Sequence, residues 1–151
     1  MRTTMRKTGL LLTLAMAAGC AGTTGGSASS GGGELIVDFE GPLTASRSYP
    51  TVGGTVRAVA SLGTTAVFVN LRGGQPGASY LWRIHTGACG SGGAAVAGVG
   101  EPSPLQPDAQ GAARVTATIP VQLASNQRYH VNVHLSRDRM DVIVACGDLT
   151  N

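Results

Sequence analysis

Residues 129–149 read YHVNVHLSRDRMDVIVACGDL, and this stretch decides the fold. In an extended chain, successive side chains point to opposite faces, so residues two apart share a face. His130, Asn132 and His134 then lie on one face, and Val131 and Val133 turn the other way to fill a core. A second apolar run, Asp141–Cys146, follows the polar break SRDRM. Upstream, YLWRIHTGACG (residues 80–90) has the same pattern. Arg83 and His85 share a face, and Trp82 and Ile84 face the core.

The rest of the chain agrees with a strand reading. Segments that alternate or are rich in β-branched residues occupy Glu34–Glu40, Thr55–Leu62, Thr65–Arg72, Ala78–Thr86, Ala113–Leu123, Arg128–Ser136 and Asp141–Cys146. Turn residues separate them, as in SLGTT at 61–65, GGQPG at 73–77 and ASNQ at 124–127. Nothing has a helical period. The spacing predicts an all-β domain over residues 34–151, a Greek-key sandwich or barrel of about seven or eight strands. Pro120 inside the 113–123 run predicts an edge or a bulge, because proline cannot donate to a ladder. The stretch from Gly87 to Gly111 is poor in strand signals and reads as one long loop, a length often associated with function.

The chain has three histidines, His85, His130 and His134. At about 3.3 Å per residue, His130 and His134 are roughly 13 Å apart along a strand, too far to bind one ion together. At most one of them joins His85. Two imidazoles are a poor copper or zinc site, since these metals take three or four protein ligands. Arg83 beside them does not ligate, and its charge repels a dication. The plain alternative is that all three are half-exposed polar residues on the outer face of the sandwich.

The N-terminus reads as an export signal. Arg2, Arg6 and Lys7 precede the apolar run GLLLTLAMAA, which is shorter than the about 20 residues a membrane-spanning helix needs. Ala17-Ala18-Gly19-Cys20 resembles a bacterial lipobox, which implies a signal peptide over 1–19 and lipidation of Cys20. Residues 21–33, AGTTGGSASSGGG, form an uncharged linker that reads as a flexible coil with a reach of roughly 20 Å. The expected location is the bacterial cell envelope, with the domain tethered to a membrane through Cys20, on the periplasmic or the outer side.

Three of the 11 basic residues lie in that N-terminal head; without them, eight arginines face eight carboxylates. A neutral domain is no general nucleic-acid binder, which needs a basic stripe to displace counterions from phosphates. With Cys20 assigned to lipid, Cys89 and Cys146 remain. In an oxidising compartment an even pair reads as a disulfide. The serines and threonines have no hydrolase signature around them, and the Gly-rich runs lack the GK[ST] of a phosphate loop.

YLWRIHTGACG and YHVNVHLSRDRMDVIVACGDL resemble two segments of the copper–zinc superoxide dismutase superfamily. The first resembles its G-F-H-x-H-E-x-G-x-C strand, in which both histidines bind copper. The second resembles its closing region, where V-H supplies another copper ligand and A-C-G the disulfide partner. The resemblance spans roughly residues 54–149. It implies an eight-stranded Greek-key barrel, the pairing Cys89–Cys146, and His85 and His134 at copper-ligand positions. It places Arg83 where a copper histidine stands in the family, Thr86 at the glutamate after H-x-H, and Ile143 at the anion-guiding arginine. Between residues 87 and 128 there is no histidine, and Asp108 is the only aspartate, so the family's zinc site is not expected. CHRD domains share similar H-I-H-x-G and Y-V-N-V-H phrases and are a near alternative.

These features give three functional expectations. The leading one is a lipid-anchored domain of this type without dismutase activity, structural or binding in role, with an envelope protein as a possible class of partner. In that reading Arg83 fills the lost copper position, pairing with Asp141, Asp148 or a backbone carbonyl. The second is a copper protein, or a dismutase with a remodelled copper-only site at His85 and His134, helped by Asn132 or His130. The third is a CHRD-like adhesion or matrix module presenting Tyr80 and Trp82.

Overall fold

The computed structural model describes residues 35–151. The expected signal peptide over 1–19, the expected lipidation site Cys20 and the expected linker over 21–33 lie outside the described residues. Seven strands form the fold: β1 (Val37–Ala45), β2 (Gly53–Ser61), β3 (Thr64–Arg72), β4 (Leu81–Thr86), β5 (Ala113–Ile119), β6 (Tyr129–His134) and β7 (Ile143–Leu149). They make one curled antiparallel sheet in the order β4-β6-β7-β1-β2-β3-β5. The only helical element among the described residues is a 3-10 turn, Arg137–Arg139. The domain is all-β, a half-barrel, as the alternation predicts.

Alternation explains the inner face. On β2, Val56, Ala58 and Ala60 are buried while Thr55 and Arg57 are exposed. On β3 the buried set is Thr65, Val67, Val69 and Leu71. Trp82, Phe39, Ile84, Leu123, Val131 and Val133 complete the core between the curled ends of the sheet. Its buried aromatics with polar handles satisfy them, Tyr80 by accepting from the Gln75 amide at 3.0 Å. The Trp82 indole donates to the Ser103 carbonyl at 3.1 Å, and the Tyr129 hydroxyl accepts from the Ala124 amide at 3.1 Å.

β1 is the corner of the sheet. It pairs with β2 from Val37 to Leu43 and with β7 only at Thr44 and Ala45. Within the first stretch the backbone of Asp148 comes so close that a Cβ on Gly41 would lie 1.9 Å from its carbonyl oxygen. Only glycine fits there. The expected first strand, Glu34–Glu40, is therefore displaced: Gly41-Pro42 reads as a strand end but is an internal corner. At the far edge β5 stops at Ile119, and Pro120 terminates it.

The long loop is a cover as well as a connection. Tyr80 and Leu105 exchange both backbone hydrogen bonds, at 2.9 and 2.8 Å, and Leu105 is fully buried. The Thr86 amide donates to Ala94 and the Val96 amide to Ile84. The loop thus runs along the open edge of β4 and satisfies backbone groups that an uncovered edge would leave free.

Candidate functional site

The three histidines project from β4 and β6 on the side opposite the core. Cross-strand register pairs His85 with His130, Arg83 with Asn132 and Leu81 with His134. On the next strand, Asn132 pairs with Cys146 and His130 with Asp148. One face therefore gathers His85, His130, His134, Asn132, Cys146 and Asp148. The rings of His85 and His130 stack with centroids 5.2 Å apart, and His85 lies 6.2 Å from His134 at a tilt of 50°. His85 stands between the two histidines of β6.

This face is not an outer surface. His130, Asn132 and His134 are only 2%, 7% and 5% exposed, which corrects the expectation of half-exposed residues for the two histidines of β6; His85 on β4 is half-buried. Alternation assigns side chains to a face but does not say what lies over it. The cover is the first part of the long loop. Cys89 is joined to Cys146 by the disulfide. The Cys89 amide donates to the Asp148 carboxylate at 2.7 Å. His85 Nδ1 lies 2.9 Å from the Gly93 carbonyl and His130 Nδ1 lies 3.0 Å from the Gly87 carbonyl.

Those last contacts fix the ring chemistry. A carbonyl only accepts, so Nδ1 of each ring carries the proton and donates it. In the neutral ring of His85, Nε2 is then left with a lone pair, and it is buried without a hydrogen-bond partner. Neither nitrogen of His134 nor Oδ1 of Asn132 has one. Burial pushes the His134 pKa below the ordinary 6.5; a backbone interaction with Met140 opposes it, and the charges of His85 and Arg83 make smaller contributions that lower it.

Arg83 does not make the pairing expected of it. It is exposed, and no carboxylate pairs with it among the described residues. The acids proposed for it are engaged elsewhere: Asp141 pairs with Arg139 at 3.3 Å, and Asp148 holds the Cys89 amide. Its long charged side chain reaches water, which a guanidinium without a partner requires. Tyr80 and Trp82, the anchors expected of an adhesion module, are 2% and 0% exposed and present nothing to a partner.

Beside the disulfide opens a groove of about 560 Å³, lined by Pro42, Thr44, Ser46, Cys89, Ile143 and Cys146 among others. Ile143 gives this wall an apolar residue. The residues present do not fit zinc. Among the described residues no three His, Cys, Asp or Glu side chains are grouped to hold a metal ion. For copper, the unpartnered nitrogens of His85 and His134 are the one feature that fits.

Asp148 and the carbonyls of Gly87 and Gly93 are the parts of this arrangement that residue patterns do not single out as loop anchors. Backbone acceptors have no sequence signature. No family model, no curated protein and no solved structure matches the chain.

Proposed function

We propose that the chain is an exported, lipid-anchored domain of the copper–zinc superoxide dismutase type that has no dismutase activity and acts as a structural or binding module at the cell envelope. One observation carries the reading: the histidine face is covered, with His130 and His134 buried and His85 half-buried. Two of its three rings donate Nδ1–H to loop carbonyls, and the disulfide fastens that same loop to β7. In this reading the histidines have become clamps that hold the cover down. Dismutation needs a redox metal held by histidines and a cationic approach for superoxide. Here Arg83 and Ile143 stand at the positions that would supply a ligand and a guiding charge.

A second reading, a remodelled copper-only site, is favoured by the buried lone pair on His85 Nε2 and the free nitrogens of His134. Buried polar atoms without partners are uncommon and call for an explanation. One experiment separates the two. The full mature chain is loaded with Cu(II), freed of excess metal, and its copper measured by elemental analysis beside a superoxide assay. The clamp reading expects little retained copper and no activity. Stoichiometric copper that disappears in His85→Ala and His134→Ala would replace it with the copper reading.

A further inference from the structure

The β2–β3 turn breaks a local rule. Ser61 pairs with Thr64, so the turn consists of Leu62 and Gly63, with φ of 48° and 79°. Positive φ at both central positions is the type I′ arrangement, which favours asparagine, aspartate or glycine. A leucine in the left-handed region is strained. Leu62 is the only non-glycine residue there among the described residues. It is also 77% exposed. A strained backbone thus presents a large apolar side chain to water at the tip of a hairpin.

The tip is held firmly. The Gly63 amide donates to the Gln122 side chain at 2.9 Å. The Thr65 hydroxyl donates to the Val121 carbonyl at 2.7 Å and accepts from the Leu123 amide at 3.1 Å. Two further exposed apolar residues belong to the same end. β1 runs antiparallel to β2 with Val37 opposite Ala60, so Ile36 and Leu35 enter the sheet at the end where Leu62 caps the turn. They are 63% and 78% exposed. No charged residue occurs between Ala58 and Leu71 or between Val115 and Gln127, the segments that supply the hairpin tip and the loop bracing it.

We propose that this end of the domain rests on the lipid bilayer, with Leu62, Leu35 and Ile36 entering the interfacial layer. The inference deepens the lipid-anchor reading and rests on it. Only residues 21–34 separate Cys20 from Leu35, and Glu34 is the one charged residue among them, so the sequence leads from Cys20 to this apolar end within a short span. A single lipid-modified residue gains from a second, weaker membrane contact. Burying uncharged side chains at the interface carries no charge-desolvation cost. The one charge adjoining Leu35 and Ile36 in sequence is the carboxylate of Glu34, so anionic lipid should not strengthen the contact.

The test uses the full chain, matured and lipidated in a bacterial host. It is reconstituted on vesicles of phosphatidylethanolamine and phosphatidylglycerol doped with nitroxide lipid. An environment-sensitive fluorophore is placed at Thr64→Cys beside the tip, or at Gln75→Cys in the loop after β3, at the other end of the sheet. The expected result is a blue shift and loss of intensity for the position 64 probe, little change at position 75, and relief of quenching at 64 when Leu62→Asn is added. If the protein floats with vesicles but the two probes respond alike, the orientation is wrong and the anchor survives. A concentration-dependent blue shift at 64 without lipid quenching would assign the patch to a second copy of the chain and overturn the proposal. If the wild-type chain floats no better than Cys20→Ala, the anchor reading fails and this proposal falls with it.

Discussion

The two halves of the sheet are held together differently. On one side, β1, β2, β3 and β5 form long ladders, with nine residues paired between β2 and β3. Inward apolar and outward polar residues alternate, so pleat and hydrophobicity suffice. On the other side, β4 and β6 are six residues each, and every residue of β6 is buried. Here the sheet is covered on its second face, and the cover is a loop with little apolar surface of its own. Besides its backbone bonds along β4 and the buried Leu105, it is held over the histidines by point attachments: a disulfide, a carboxylate and two imidazoles. The difference teaches that a polar face can be made interior without apolar residues, provided each attachment is specific.

The largest expected effect comes from cutting the covalent attachment. The disulfide closes a loop of 57 residues, for which the chain-entropy model gives about 4 kcal/mol. Replacing both partners, Cys89→Ser with Cys146→Ser, should lower the urea unfolding free energy by about that much. Amide exchange should rise first over residues 87–105 and β4, and last in β2 and β3. A uniform rise would mean that the two halves are not held differently.

The next effect is that of an imidazole clamp. His130→Ala removes a buried ring and its bond to the Gly87 carbonyl, a combined loss of roughly 2–3 kcal/mol. His130→Phe keeps the volume and should recover the packing part alone. An equal loss in both variants would show that the hydrogen bond, not the ring, matters.

How much of this was legible in the residues follows the same division. β2 and β3 are readable nearly to the residue, because VRAVA and AVFVN alternate between clear turns. β1 is displaced by Gly41-Pro42, which resembles a strand end because a corner and a turn use the same residues. β7 runs past the expected Cys146 to Leu149, since Gly147 and Asp148 pair with β6 although neither is a strand-forming type. The faces of His85, His130 and His134 are readable from alternation. Their burial is not, because the covering loop, rich in glycine and alanine, attaches through backbone groups that any residue could supply.

A smaller effect, of opposite sign, is expected in the regular half. Leu62→Asn puts a residue tolerant of the left-handed region at the turn, and should raise stability by about 1 kcal/mol, read from the denaturant midpoint. No gain would mean that Leu62 is unstrained and would weaken the case for its role at a membrane.

The smallest effect distinguishes the halves by pH. The His134 ring titrates at 6.5 when unfolded and lower when folded, chiefly because burial disfavours its cation. The unfolded chain therefore binds more protons in that interval. The contribution is complete above about pH 6.5 and is lost as pH falls through the folded value. The denaturant midpoint should drop on acidification in the wild type and drop less in His134→Gln. Identical slopes would place this ring in contact with water.

The covered histidine face is tested most directly by nitrogen-15 NMR of the imidazole rings, recorded before and after one equivalent of Cu(II). The account predicts that His85 and His130 are Nδ1–H tautomers, with slowly exchanging ring protons and signals that persist when copper is added. Paramagnetic loss of the His85 and His134 signals at one equivalent would contradict it and make these residues copper ligands.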